Sequence, residues 1–128
     1  MLAFGRELLY YNYILKENLN SLDSVKNLLK RYKNNINLIA GDTNTVLHKI
    51  DLKNIDFAFI DGGHSYETVM NDLTILYQNL KGKNKVLLCD DYGKASHIPE
   101  VERAVNDFSK KRSLHINVIE DRFAEIII

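Results

Sequence analysis

Phe57-Ala58-Phe59-Ile60-Asp61-Gly62-Gly63-His64-Ser65-Tyr66 is the stretch on which the fold turns. Four apolar residues run straight into an acid and two glycines. A short apolar run bounded by turn residues reads as a buried strand of a parallel sheet. Val86-Leu87-Leu88-Cys89-Asp90-Asp91-Tyr92-Gly93 repeats the pattern. Ligands of α/β sheets bind beyond the carboxyl ends of the strands. Side by side, the two strands bring Asp61, Asp90 and Asp91 to one edge. Crowded carboxylates repel, so the cluster points to a cation, a shared proton or a polar ligand.

A helix lies between the two runs. Ser65 is placed to cap it, Tyr66, Val69, Met70, Leu73, Leu76, Tyr77 and Leu80 share one face, and Lys81-Gly82 ends it. Upstream, residues 36–40 read as a strand ending in Gly41-Asp42-Thr43, and Val46, Leu47 and Ile50 mark a short helix. Earlier still, residues 1–4 read as the end of a strand and 7–18 as a helix. Asn20 or Ser21 caps another helix, carrying Leu22, Val25, Leu28, Leu29 and Tyr32 and broken by Asn34-Asn35. Downstream, 91–98 is a loop, and Pro99 opens a helix with Val101, Ala104, Val105 and Phe108 inward. Residues 115–119 and 123–128 are strands joined by Glu120-Asp121-Arg122, a link short enough for an antiparallel hairpin. The order argues an α/β fold, with a mostly parallel sheet and a C-terminal antiparallel hairpin.

Composition narrows the function classes. The 128 residues suit one domain, and 45% apolar with 27% charged is ordinary for a soluble globular protein. Lys plus Arg equals Asp plus Glu at 17 each, which gives no support for a nucleic-acid or membrane-surface partner. Lys26, Lys30, Arg31 and Lys33 read as a solvated helix face. A single cysteine excludes an intramolecular disulfide framework, and Cys89, ending an apolar strand, reads as an inert core thiol. No run is long and apolar enough to span a membrane and no signal peptide is visible, so the cytoplasm is the expected location.

The stretch from Ile55 to Glu67, then Asp72-Leu73, Asp90-Asp91-Tyr92-Gly93 and 101–108, resembles the class I S-adenosylmethionine-dependent methyltransferases. Within them it is similar to the macrocin-type sugar O-methyltransferases and cephalosporin-hydroxylase-like proteins. The resemblance covers residues 36–128 and implies a partial Rossmann-like methyltransferase fold. It implies that Asp61, Asp90 and Asp91 hold a divalent metal, usually magnesium. It places Gly41-Asp42-Thr43 against the adenine of S-adenosylmethionine, with Asp42 accepting from the amino group and Thr43, Asp61 and Gly62 also on the donor side. His64 and Asp61 become the catalytic residues, His64 as a base or as a group orienting the acceptor. The implied reaction is metal-assisted O-methyl transfer to a small hydroxylated, sugar-like acceptor. Hard oxygen ligands suit magnesium, and a metal lowers the pKa of a substrate hydroxyl.

The chain also departs from that family. No Gly-x-Gly occurs, so the glycine-rich loop that packs against the donor's methionine part has no counterpart. The acid that grips the ribose hydroxyls has only Gly5, or Glu7 as a weak substitute, near its place. The expectation is a single methyltransferase-like domain, 1–128, truncated at its N-terminus and lacking the first strand and the glycine-rich loop. Loss of that strand would leave an open sheet edge, where a second copy or a partner chain could add. The Tyr10, Tyr11 and Tyr13 cluster is too closely spaced for one helix face and suggests such a contact. The alternative function is accordingly a non-catalytic methyltransferase-like remnant or subunit. A phosphoryl-receiving domain is rejected, because its acid pair precedes its single Asp and here the order is reversed.

Overall fold

The computed structural model describes residues 21–80, 84–95 and 98–128. The expected strand at 1–4, the helix at 7–18, Gly5, Glu7, the tyrosine cluster and the Lys81-Gly82 helix end lie outside the described residues. The chain falls into two compact units, 1–40 and 41–128. No described helix is long and apolar enough to cross a membrane.

In the first unit, α1 (Leu22–Leu28) is capped by Ser21, whose Oγ accepts from Ser24 N, and a 3-10 turn follows at Lys30–Tyr32. The strand expected at 36–40 does not form. Apolar composition alone does not make a strand; its backbone needs a ladder partner, and these residues have none among those described. Ile36 and Ile39 are exposed instead.

The second unit carries α2 (Thr43–Val46), a 3-10 turn at Leu47–Lys49, β1 (Phe57–Ile60), α3 (Tyr66–Asn79), β2 (Val86–Cys89), α4 (Pro99–Arg112), β3 (Ile116–Ile119) and β4 (Phe123–Ile127). The sheet order is β1-β2-β4-β3. β1 and β2 are parallel, with Ile60 opposite Cys89, while β4 runs antiparallel to both β2 and β3. The hairpin is present as expected. β1, β2 and β3 run in one direction and β4 alone is reversed, returning between β2 and β3, so the described sheet is mostly parallel with one antiparallel strand.

The alternation of side chains along the strands fixes the core. Leu87, Cys89, Ala124 and Ile126 point to one face and are buried. That face meets Leu73 of α3 and Val105 and Phe108 of α4. Tyr77 stands edge-on to Phe108, ring centroids 5.8 Å apart, and Arg112 lies 4.0 Å over the Phe108 ring. α3 starts where Ser65 Oγ accepts from Thr68 N, and α4 ends at Ser113 in the left-handed conformation, after basic residues that suit a helix C-terminus. Cys89 is core: burial alone pushes its thiol up to about 12, which makes it inert.

Candidate active site

The parallel register builds the site. Asp61 follows Ile60 and Asp90 follows Cys89, so the two acids leave neighbouring strands at the same level. Asp90 N donates to Ile60 O at 2.9 Å, extending the ladder by one rung. The chain then bends sharply: Asp91 takes φ 59°, a left-handed conformation that Asp tolerates better than most residues. The bend brings Asp91 Oδ2 to 2.9 Å from Nε2 of His64, which sits just ahead of the Ser65 cap of α3. The turn into α3 needs Gly63, where a Cβ would come 2.8 Å from Thr68 Cγ2; a Cβ on Gly62 would meet nothing.

The structure groups Asp61, His64 and Asp91, each offering a ligand atom within 4.8 Å of the others. Asp90 is arranged differently from the expected trio. Its Oδ1 accepts from Arg122 Nε at 2.6 Å and from Asp91 N at 2.7 Å, and its Oδ2 accepts from Arg122 Nη2 at 2.7 Å. The guanidinium, helped by the Asp91 N–H, holds the buried carboxyl of Asp90 below its ordinary range against the opposing effect of burial. Arg122 lies in the β3–β4 turn, and no sequence motif pointed to it. The one available signal was a lone cation in a turn next to a strand that pairs with the one ending in two acids.

The loop after β2 is fastened to that turn. Tyr92 N donates to Arg122 O at 2.8 Å and Ala95 N to Asp121 O at 3.2 Å. Tyr92 packs rather than lining an opening: it is buried, and its hydroxyl donates to Asn106 Oδ1 at 2.9 Å. A cavity of about 10 Å3 remains among Asp61, His64, Asp90, Asp91, Val69 and Val101. That is room for about one water-sized species.

The cluster fits a divalent ion. Donor atoms at neighbouring positions on an octahedral ion stand about 3 Å apart, the separation His64 and Asp91 already have. The set is one nitrogen with two carboxylates, rather than the three acids expected for magnesium.

Near the start of the second unit, Asp42 caps α2, its Oδ1 accepting from Asn44 N at 2.8 Å and from Asn44 Nδ2 at 2.9 Å. Gly41, at φ 147°, makes the turn before it, where a Cβ would meet Val46 Cγ1 at 2.5 Å. Thr43 hydrogen-bonds to Asp72 of α3, whose carboxyl is buried and titrates above its ordinary range, chiefly through that burial. Asp72 Oδ1 has no hydrogen-bond partner. In the sequence Asp72 stood only within the Asp72-Leu73 pair that carries the resemblance, with no role attached, because one acid on a regular helix does not report what it packs against.

Helices packed on a sheet, with acids and a histidine at the carboxyl ends of adjacent strands, define an α/β protein of Rossmann-like type. The methyltransferase-domain family matches residues 9–92, well over half of the chain, and the chain belongs to that family. No curated protein matches it. The family match ends at Tyr92, so Arg122 and the hairpin lie beyond it.

Proposed function

We propose that the chain transfers a methyl group from S-adenosylmethionine to a hydroxyl of a small, sugar-like acceptor, assisted by a divalent ion. The observation that carries this reading is the convergence of Asp61, His64 and Asp91 at the strand ends of a methyltransferase domain. Asp61, Asp91 and His64 Nε2 would hold the ion, which when bound supplies positive charge that eases loss of the hydroxyl proton. The N-terminus of α3 adds a favourable dipole beside these acids. Gly41, Asp42 and Thr43 form the donor side, with Asp42 accepting from the adenine amino group. The sulfonium already activates the methyl group, so positioning is the protein's main task. In the transfer a C–O bond forms, the S–C bond breaks, S-adenosylhomocysteine leaves and the hydroxyl proton passes to solvent.

The 2.9 Å His64–Asp91 contact also favours a second reading. In it Nε2–H donates to Asp91 and His64 Nδ1 takes the hydroxyl proton without an ion. Calorimetric titration with S-adenosylmethionine, followed by methyl transfer to hydroxylated acceptors with and without chelator, tests both. Transfer abolished by chelator supports the first reading, and transfer indifferent to it supports the second. Absence of donor binding and of transfer would leave a binding subunit.

A further inference from the structure

By sequence Asp90 is one of three expected ligands, yet both its oxygens are engaged by Arg122, a side chain from outside the family match. We propose that Arg122 sets the composition of the ion site: by taking Asp90 it leaves Asp61, His64 and Asp91 as the ligands, so the site prefers manganese or cobalt to magnesium. The inference rests on the divalent-ion reading above and names what controls that site.

Three observations carry it. The Arg122–Asp90 contact is two-pronged, the strongest geometry an arginine and a carboxylate make. Asp90 is buried, so exchanging Arg122 for another cation requires moving a side chain and not merely shedding water. Arg122 is also pinned from behind, because its backbone carbonyl accepts from Tyr92 N and its N–H donates to Ile119 O. With Asp90 withdrawn, the third ligand is the imidazole of His64. Imidazole nitrogen suits borderline metals, whereas magnesium favours all-oxygen sites. Arg122 is therefore a positioning residue that touches neither acceptor nor donor.

The test is manganese binding to the full chain, read by electron paramagnetic resonance, with magnesium as competitor and neither donor nor acceptor present. The wild type should bind manganese at least about tenfold more tightly than magnesium. Asp90→Asn should leave manganese affinity nearly unchanged, whereas Asp61→Asn or His64→Ala should weaken it by about tenfold or more. Arg122→Gln should raise magnesium affinity by about tenfold through the released Asp90, and adding Asp90→Asn should remove that gain. Arg122→Lys, which keeps the charge without the fork, should fall between. Circular dichroism confirms that each variant is folded; Asp90→Asn alone suffices if the Arg122 variants are not. Overturning results are an Asp90→Asn loss as large as that of Asp61→Asn, or no manganese binding by the folded wild type. Manganese bound as described, with no donor binding, would sink the methyl-transfer reading and keep this one. Methyl transfer without bound manganese would do the reverse.

Discussion

Asp72 shows how much one buried oxygen can matter. Its carboxyl is buried, one oxygen lacks a partner, and the nearby Asp42 charge adds to the effect of burial in raising its pKa. A carboxyl raised in the folded state contributes stability that is whole below its unfolded value and is lost as pH rises through its folded value. Asp72→Asn removes the ionisable proton at nearly constant shape. It should stabilise the protein at neutral pH by about 1 kcal/mol, with the advantage vanishing below the ordinary value of 3.8. Thermal unfolding of both proteins across pH 3–8, roughly the range over which such carboxyls titrate, checks this; a constant difference would refute it. Gly93 is a second single-residue constraint. It sits at φ 88°, and a Cβ there would come 2.8 Å from Asp121 O. Gly93→Ala should cost about 1–3 kcal/mol, and chemical denaturation should show it.

Elements were legible where local chemistry and tertiary need agreed. Ser65 caps α3 and the apolar stripe of α3 faces the sheet because hydroxyl cap and helical period point the same way. Residues 36–40 misled because their apolar residues fit a strand in isolation, while strand formation depends on a neighbour that local pattern does not report. Arg122 was invisible for a related reason. Its role comes from β4 lying beside β2, a contact across 32 positions of sequence. Asp42 caps α2, and the same carboxylate is the one proposed to meet the adenine amino group. The two roles separate by substitution, since Ser caps nearly as well as Asp but offers no charge to an adenine amino group. Asp42→Ser should keep wild-type stability and weaken donor binding, whereas Asp42→Ala should also lose about 1 kcal/mol. Paired melting curves and donor titrations give the comparison. Phe108 is the corresponding test of packing. Fully buried between α3 and the sheet, it should cost about 3–5 kcal/mol on replacement by Ala.

At the scale of the molecule, helices cover one face of the sheet in the second unit, and the other face leaves some apolar side chains exposed. Phe57 and Phe59, on β1, remain 53% and 49% exposed. β1 also pairs only with β2 among the described residues, so one side of its backbone has no ladder partner there. Open edges with apolar side chains are templates for strand addition unless charge or distortion blunts them. None of the four residues of β1 carries a charge, and the whole chain carries a formal net charge of zero at pH 7, so long-range repulsion does not keep copies apart. The expected outcome is association of copies through β1, with a light-scattering mass that rises above that of a single chain as concentration increases. Phe59→Lys puts a charge on the edge without disturbing the helix-facing core, so it should lower that mass toward the monomer value while leaving the melting temperature nearly unchanged. A wild type that stays monomeric throughout would refute the association, and a variant that unfolds instead would show that Phe59 is needed for the fold. Because Asp61 begins directly after β1, association should also be read against donor binding: an edge contact that orders this strand would tighten binding as concentration rises.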